Sequence, residues 1–520
     1  MNQLSNKNKY SAIKKINLLA YLLLFFTFST SSLLFSQNLK DLRILHYNDF
    51  HAANVPYNVN KFEVPEITDS VMMVGGAAYI KAYINKNTDL NTILLNAGDI
   101  YQGGPASAIT KGKSQIIIEN YMNSDVVTLG NHEFDYTTDT LISFLKLANF
   151  KIICCNIVDK KTKKPLFDPY KIITKNGIKI AVIGVITEEL PRIVTKTNID
   201  DLQILDIIPT VKKQIAKIKE MEKPNLIILL THVGYEVDKH IAEAIPEVNV
   251  IIGGHSHSKI PHPAKHNNTI ICQAHEKGKY LGVLDLKVDI KNNSVHSFLG
   301  KLVPIITDYI QPDTTIIKVV DSINAMWRDQ LNEVVGELKT DWIRTYKRES
   351  NIGNCITDII RDFSESDVAF YNAGGIRKDL YAGPITVKDI WEIVPFDNSV
   401  VSFNIRGDSL YNIFEYQFNN DNHIEILQIS GAEYKYNLKM PKGKRVVELK
   451  INKQKIDPSK YYKIVTNSFL ISQSKQYLGI NIDQYQIHDS GIFIKELFVD
   501  YVRKQKVIDS KIENRIVQIQ

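Results

Sequence analysis

The sequence predicts an α/β protein with two domains, and three observations support this. The chain has 520 residues, which is too long for a single hydrophobic core. From residue 42 to about residue 286, short apolar runs alternate with longer amphipathic stretches, as in α/β proteins. After Pro304 a helical pattern interrupts this alternation, and a second α/β segment runs from about Gly336 to the end.

The strand candidates of the first half are continuous and apolar, which is typical of strands buried on both faces. They read LRILHYN, NTILLNA, DVVTLG, FKIICCNI, KIAVIGVI, NLIILLT and VNVIIGG. Between them, residues 208–224 show the period of an amphipathic helix. Residues 313–335 contain an amphipathic pattern with no interior glycine or proline, which predicts one long helix between the two halves.

The first 36 residues have the composition of a secretory signal. Four lysines and no acidic residue precede an apolar run, and the expected cleavage site follows Ser36. The alternative is an uncleaved membrane anchor, which the Ser/Thr cluster at 29–32 disfavours. Since no later run of 18 or more apolar residues exists, we expect a periplasmic or secreted protein without a membrane segment after cleavage.

Charge and cysteine content exclude two further classes. Removal of the four N-terminal lysines lowers the formal charge from +6 to +2, too little for binding a nucleic acid polymer by counterion release. Four cysteines are too few for a disulfide scaffold. Cys154 and Cys155 are adjacent in an apolar strand candidate, which predicts buried thiols. Nothing in the sequence indicates an oligomeric state.

Residues with oxygen and imidazole ligands follow five strand candidates of the first domain. Open α/β sheets bring the carboxyl ends of their strands to one edge, so residues more than 200 positions apart are expected to converge there. Glycines beside them, in GD, GN and GGH, permit sharp turns and close backbone approach. The candidate ligands are Asp49, His51, Asp99, Asn131, His232, His255 and His257.

This ligand set predicts two divalent metal ions. Carboxylate, amide and imidazole ligands without cysteine favour zinc, manganese, iron or cobalt. Two metals about 3.5–4 Å apart need a bridging carboxylate and roughly three further ligands each, and Asp99 is the candidate bridge. In the segment GNHEFD (130–135), the residues alone leave open whether His132 binds metal or acts on the substrate.

The motifs DFH (49–51), GD (98–99), GNHEFD (130–135), TH (231–232) and GGHSH (253–257) together resemble those of the calcineurin-like metallophosphoesterases. NAGDIYQGGP (96–105) and KYLGVLDL (279–286) are similar to the secreted 5′-nucleotidase / UDP-sugar hydrolase family among them. The likeness covers nearly the whole mature chain. It implies a signal peptide at 1–36, a four-layer α/β/β/α metallophosphoesterase domain at 37–305, a linker helix at 306–335 and an α/β substrate-binding domain at 336–520.

The resemblance also implies roles for the ligands. One metal would take Asp49, His51, Asp99 and His257, and the other Asp99, Asn131, His232 and His255. His132 then stays free of the metals and forms a dyad with Asp135, which fixes its tautomer and favours its protonated form. A metal-bound hydroxide would attack phosphorus, while His132 stabilises the transferring oxygens or protonates the leaving oxygen. Glu133 is expected to support the site without taking part in the chemistry.

The second half resembles the same family at RESNIGN (348–354), YNAGGIR (371–377), VPFDN (394–398) and LQISGAEYKY (427–436). In relatives this domain holds the organic part of the substrate, with a base stacked between two phenylalanines. The likeness implies substrate contacts by Asn372, Arg377, Phe396 and Phe469. It also implies an arginine shortly before the SNIGN segment, for which Arg344 and Arg348 both qualify.

One segment departs from the family pattern. Residues 466–478 read TNSFLISQSKQYL, where relatives read close to TNxFLAxGGDGY, so SQSK replaces the turn whose aspartate binds the ribose hydroxyls. Loss of a buried acceptor for a substrate hydroxyl changes specificity.

We therefore expect a phosphomonoesterase that acts on a 5′-nucleotide, and we keep alternatives open. The same centre would serve a 2′,3′-cyclic nucleotide phosphodiesterase, a nucleotide-sugar pyrophosphatase or a phosphatase of non-nucleotide esters. A surface binding protein that keeps its metals without catalysis is the alternative of a different class.

Overall fold

The computed structural model describes residues 38–61, 63–419 and 425–519, and in it the first domain contains two six-stranded sheets. The predicted signal peptide lies outside the described residues. The first sheet has the strand order Ser294–Pro304, Tyr280–Asp289, Leu39–Tyr47, Thr92–Asn96, Val126–Thr128 and Lys151–Ile153. The second has the order Ala264–His266, Thr269–Cys272, Val250–Ile252, Leu226–His232, Ile178–Ile186 and Tyr170–Lys175.

The two sheets pack face to face, and helices cover their outer faces. Apolar side chains from both sheets, such as Ile44 and Leu230, form one buried core between them. The helix Ile207–Met221 buries Val211, Ile215 and Ile218, which its period places on one face, against the outer face of the second sheet. This arrangement confirms the α/β class and the α/β/β/α layers. The flanking helices are Ala77–Asn87, Pro105–Ile109, Lys113–Met122, Thr138–Leu145, Leu190–Ile193, Ile207–Met221 and Tyr235–Ala244.

The central strands of each sheet are parallel, so their carboxyl ends lie at the same edge. In the first sheet these strands are Leu39–Tyr47, Thr92–Asn96 and Val126–Thr128, and in the second they are Ile178–Ile186, Leu226–His232 and Val250–Ile252. The loops that leave these ends carry the predicted metal ligands.

The predicted strand FKIICCNI is divided in the structure. It forms Lys151–Ile153 in the first sheet and Ile157–Asp159 in a separate two-stranded pair. Between them the amide of Cys154 donates to the carbonyl of Asp168 (2.9 Å), which takes the chain out of the sheet. The sequence did not predict this break, because the apolar residues continue through both pieces. All four cysteines are free and buried, which confirms the prediction of buried thiols at Cys154 and Cys155.

The linking segment is not the single helix that its sequence pattern predicts. It forms the helices Thr314–Ala325 and Arg328–Asn332, and Val334–Leu338 is already a strand. The break falls at Trp327, whose ring packs against the core of the second domain. Tertiary packing ends the first helix here, and no glycine or proline marks the position.

The second domain is built around a five-stranded sheet with the order Gln428–Ser430, Val368–Tyr371, Tyr461–Asn467, Ser399–Arg406 and His488–Phe493. Smaller sheets contain Gln454–Lys455, Val446–Ile451, Ala432–Tyr436 and Ile516–Gln518, and Gly383–Thr386, Val334–Leu338 and Val507–Ile508. The helices are Asn351–Ser364, Val387–Ile393, Gly407–Tyr416, Ser468–Ser472, Ser474–Tyr477 and Ile494–Gln505. In the part of the chain that the structure describes, no helix has the length and apolar character needed to span a membrane.

Candidate metal centre and active site

The predicted metal ligands converge where the carboxyl ends of the two sheets meet. Four of them follow strands of the first sheet, and three end or follow strands of the second. Three groups of side chains have carboxylate or imidazole atoms within 4.8 Å of one another: Asp49, His51 and His257; Asp49, Asp99 and His232; and His51, Asp99 and His132. Both halves of the sandwich therefore contribute to one cluster.

One part of the cluster surrounds His51 and His257. Their Nε2 atoms lie 3.0 Å apart, and Oδ1 of Asp49 lies 3.5 Å from Nε2 of His257. Oδ2 of Asp99 lies 3.9 Å from Nε2 of His51. Two imidazole nitrogens directed at each other among carboxylates have the geometry of ligands around a cation.

The other part contains His232, His255 and Asn131. Nε2 of His232 lies 3.1 Å from Oδ2 of Asp99, and Nδ1 of His255 lies 2.9 Å from Oδ1 of Asn131. Asp99 thus contacts both parts of the cluster. This is the position that a carboxylate bridging two ions would occupy.

The ligand loops adopt backbone conformations that side chains with a β-carbon rarely take. Five of the seven candidate ligands have φ between 49° and 81°: Asp49, His51, Asp99, His255 and His257. Each such residue costs about 1–3 kcal/mol and persists only where its surroundings hold it. Gly130 permits the close approach of the loops, since a β-carbon there would lie 2.1 Å from Oδ1 of Asp99.

Glu133 holds two of these loops together. Its carboxylate accepts hydrogen bonds of 2.6 to 3.2 Å from the backbone amides of Asp99, Ile100, Tyr101 and Gly130. Burial and the neighbouring Asp99 raise the pKa of Glu133 to about 7. Its contacts are with backbone amides behind the ligands, which agrees with the supporting role predicted for it.

Contacts outside the cluster orient two of the histidines. Nδ1 of His232 lies 2.7 Å from the carbonyl of Ala97, and Nδ1 of His257 lies 2.9 Å from the Glu276 carboxylate. Each contact assigns the proton to Nδ1 and turns Nε2 toward the cluster, as is usual for metal-bound histidines. The sequence did not indicate this role for Glu276, because Glu276 lies outside every ligand motif.

The buried polar atoms of the cluster fit bound cations. Among the described residues, Nδ1 of His51 and Nε2 of His232 are buried without a hydrogen-bond partner. Burial alone would lower the pKa of His232, but Asp99 and Asp49 outweigh it and raise that pKa to about 10. The site therefore favours positive charge at His232, beside the carboxylates of Asp99 and Asp49, and divalent cations would supply such charge there.

His132 differs from the other histidines in its contacts. Its Nδ1 lies 2.9 Å from Oδ2 of Asp135, and its backbone amide donates to Oδ1 of Asp99 (2.9 Å). Burial opposes protonation of His132, but Asp135 and Asp99 outweigh it and raise its pKa. The ring also stacks on Phe396 of the second domain, with centroids 5.9 Å apart. The predicted dyad is thus formed and lies where the domains meet.

A cavity of about 470 Å³ connects the ligand cluster to the second domain. This volume is typical of small-molecule sites. The first domain contributes Asp99, Asn131, His132, Asp135, His255 and His257, and also Ile193, Val194 and Thr195. The second domain contributes Asn372, Arg377, Phe396, Asp397, Phe469 and Tyr477. Four of the five predicted substrate contacts therefore lie on the cavity wall.

The fifth, Arg344, lies behind the wall. Its Nη1 donates to the carbonyl of Arg377 (2.8 Å), and its Nε lies 3.7 Å from Asp379. Its alternative, Arg348, is exposed and does not line the cavity either. Of the two, Arg344 is the one connected to the cavity, through the backbone of Arg377.

Asn467 links two elements of the cavity wall and was also missed. It is fully buried, and its Nδ2 donates to Oδ1 of Asn372 (2.9 Å) while its Oδ1 accepts from the amide of Leu470 (2.7 Å). The first bond leaves the Asn372 NH₂ group as the free end of that amide. The second bond caps the helix Ser468–Ser472, which carries Phe469. An asparagine before a helical segment is the sequence signal that would have indicated it.

Comparison with known proteins agrees with the fold and the site. The calcineurin-like phosphoesterase model matches residues 42–259, and the model of the 5′-nucleotidase C-terminal domain matches residues 334–479. Together they cover more than half of the chain. The fold, the site and these matches thus define a metal-dependent phosphoester hydrolase. They favour this class over the alternative of a binding protein without catalysis.

Relatives narrow this class to a family. The chain is 29% identical to an apyrase of Tabanus yao, over 92% of this chain and 94% of that protein. It is 28% identical to a 5′-nucleotidase of Bos taurus, over 92% and 90%. The crystal structure of a 5′-nucleotidase precursor from Thermus thermophilus matches with a TM-score of 0.82 at 26% identity, over 92% and 99%. The chain belongs to the 5′-nucleotidase family of calcineurin-like phosphoesterases.

Proposed function

We propose that this protein is a secreted or periplasmic phosphohydrolase that removes phosphate from a monoester, with a nucleoside 5′-monophosphate as its preferred substrate. One observation carries the proposal: four candidate metal ligands (Asp99, Asn131, His255 and His257) line the same cavity as Phe396 and Phe469. The names of the relatives, apyrase and 5′-nucleotidase, support it.

The seven ligands would hold two divalent ions, of zinc, manganese, iron or cobalt. We assign Asp49, His51, Asp99 and His257 to one ion, and Asp99, Asn131, His232 and His255 to the other. When bound, such ions activate water and neutralise charge on the phosphoryl oxygens.

His132 and Asp135 would act on the leaving group. Nδ1 of His132 is held by Asp135, so Nε2 is the atom that holds a proton for the leaving oxygen. A positioned acid of this kind contributes about 10²- to 10⁴-fold to the rate. Arg377, with its permanent charge, and the NH₂ group of Asn372 would bind the phosphate and its neighbouring oxygens from the second domain.

Phe396 and Phe469 would hold the base. Phe396 packs one face against His132, which leaves its other face for a ring stacked between it and Phe469. Stacking of this kind contributes about 1–3 kcal/mol per base without strong sequence preference. The domain at 37–305 would thus perform the chemistry, the domain at 336–520 would select the substrate, and residues 306–335 would connect them.

Hydrolysis of four substrates, with the products separated by chromatography, tests the proposal: AMP, 2′,3′-cyclic CMP, UDP-glucose and p-nitrophenyl phosphate. We expect kcat/KM for AMP to exceed that for p-nitrophenyl phosphate by about tenfold, because stacking contributes about 1–3 kcal/mol and a tenfold difference corresponds to about 1.4 kcal/mol. Equal kcat/KM values for the two would rule out the nucleotide preference.

A second candidate uses the same centre on another phosphate ester: a cyclic nucleotide, a nucleotide sugar or a non-nucleotide monoester. The observation that favours it is the SQSK segment, which offers no carboxylate to the ribose hydroxyls. In the four-substrate assay this candidate predicts the highest kcat/KM for a substrate other than AMP.

Export would follow from residues 1–36. Fractionation of cells that express the full chain, followed by N-terminal sequencing, tests this. We expect the mature protein to begin at Gln37 and to lie outside the cytoplasm. A cytoplasmic protein that keeps Met1 would overturn this part of the proposal.

A further inference from the structure

The segment that departs from the family pattern makes an unusual contact. Residues 472–475 read SQSK, and the side chain of Gln473 is buried, with 7% of its surface exposed. Its Nε2 donates to the carbonyl of Val194 (2.6 Å) and lies 3.3 Å from the carbonyl of Pro191. Both carbonyls belong to the first domain, so this side chain crosses the boundary between the domains.

These hydrogen bonds stand apart from the other contacts between the domains. Within the described ranges, no other direct hydrogen bond and no ion pair joins residues 38–305 to residues 336–519. Other contacts include apolar and aromatic ones, such as Ile109 against the core of the second domain and His132 against Phe396. Apolar contacts tolerate sliding, whereas a hydrogen bond to a carbonyl fixes distance and direction.

One end of the contact belongs to the cavity wall, and the other is joined to that wall through a helix. On one side, Pro191 lies within the four-residue helix Leu190–Ile193 and Val194 directly follows it, so both carbonyls belong to a last turn without partners inside the helix. Ile193 and Val194 line the cavity. On the other side, Gln473 ends the helix that carries Phe469.

Gln473 is also tied closely to the aromatic residues of the second domain. Its amide donates to the carbonyl of Phe469 (3.0 Å), and its own carbonyl accepts from the amide of Tyr477 (3.0 Å). The rings of Phe469 and Tyr477 meet edge to face, with centroids 5.4 Å apart. A displacement of Gln473 from Val194 would therefore move both rings relative to the metal ligands.

We propose that Gln473 is a positioning residue that sets substrate specificity, by holding the aromatic wall of the second domain against the first domain in the arrangement seen here. The segment that binds sugar hydroxyls in relatives here binds the other domain. Recognition of the nucleoside then depends on the position of the Phe469 ring, because the segment has no carboxylate to bind the sugar. This inference rests on the proposed nucleotide substrate for its kinetic effect, but not for its effect on the geometry of the domains.

The test compares the wild type with Gln473→Ala, Gln473→Glu and, as the control, Gln476→Ala. Gln473→Glu keeps the shape but turns a carboxylate oxygen toward two carbonyls, while Gln476 is exposed on the short helix that follows Gln473. Spin labels at Leu90→Cys and Tyr461→Cys report the distance between the domains by pulsed EPR. Both positions are exposed, and the four native cysteines are buried.

We expect both Gln473 variants to lower kcat/KM for AMP about tenfold, mainly through KM. Their kcat/KM for p-nitrophenyl phosphate stays within twofold, because its ring is attached directly to the phosphate and extends less far from the metal ligands than a base joined through a ribose. The distribution of distances between the domains broadens. Gln476→Ala matches the wild type in all three measurements.

Two outcomes would overturn the inference. One is an unchanged distance distribution together with unchanged AMP kinetics. The other is an equal loss on both substrates with a lowered Tm and unchanged distances, which is the result of a purely structural role. A wild type that does not prefer AMP would refute the proposed substrate instead, and the EPR measurement would still decide whether Gln473 fixes the domains.

Discussion

Around the candidate metal ligands (the metal end of the cavity), side chains bond directly to the loops that carry the ligands. Around Phe396 and Phe469 (the organic end), the walls come from two domains. Glu133 accepts four backbone amides, and Ala97 and Glu276 orient His232 and His257. Across the domain boundary, the described hydrogen bonds are those of Gln473 alone. The contacts that place the candidate metal ligands thus lie within one domain, while the cavity walls around Phe396 and Phe469 depend on how the two domains meet.

Loss of Asp99 should show the largest effect, since its carboxylate contacts both parts of the metal end. We expect Asp99→Ala to lower kcat/KM on every substrate by at least about 10⁴-fold, because two ions without their bridge lose the paired geometry that hydrolysis needs. Metal analysis by mass spectrometry should show fewer ions per chain. A variant that keeps two ions and normal turnover would contradict the assignment of the bridge.

His132→Asn tests whether the dyad is separate from the metal ligands. We expect kcat to fall by about 10²- to 10⁴-fold while the metal content stays at the wild-type level. The matched control is His240→Asn, because the His240 side chain is 72% exposed on the same domain. If His132→Asn instead loses metal, His132 is a ligand, as its place beside His51 and Asp99 also permits.

Phe469→Ala tests the organic end and should affect substrates unequally. We expect KM for AMP to rise about tenfold, since one stacking partner is lost, and the kinetics of p-nitrophenyl phosphate to stay within twofold. Phe363→Ala, at an exposed position of the same domain, serves as the control. Equal losses of kcat/KM on both substrates would indicate that Phe469 supports the metal ligands and does not bind the base.

The smallest effect is expected from Arg344, which lies behind the cavity wall. Arg344→Ala removes the bond from its guanidinium to the carbonyl of Arg377, so we expect KM for AMP to rise about threefold through the loosened loop. Arg348→Ala should leave KM unchanged, because Arg348 is exposed and does not line the cavity. A larger effect at Arg348 would reverse this choice between the two arginines.

The metal end could be predicted from the sequence because its ligands follow strands directly. A strand of the first domain is marked by its apolar run, and its carboxyl end has a fixed place in a parallel sheet. Asp49, Asp99 and His232 could therefore be placed together before any coordinates. The α/β class followed from the alternation of strands and helices, and the four layers followed from the resemblance to the family.

The organic end could be predicted only in part, because its contacts depend on tertiary packing. Gln473 contacts Val194, which lies 279 positions away in the sequence, and no local sequence pattern predicts such a contact. Glu276 lies outside the motifs for the same reason. The break at Trp327 is caused by a ring that packs on the second domain, whereas the local sequence favours a continuous helix. In each case tertiary packing determines the structure, and the local secondary-structure propensity of the sequence does not.

The ligands come from two sheets, and this has a consequence for how the protein acquires its metals. Asp49 and His257 are separated by most of the first domain, so no short stretch of the growing chain can capture an ion at the full site. Metal loading is therefore a late event that follows the docking of the sheets. The ion that is bound depends on what the folding compartment supplies as well as on ligand preference. Preparations folded in different hosts should then carry different metals in the same scaffold.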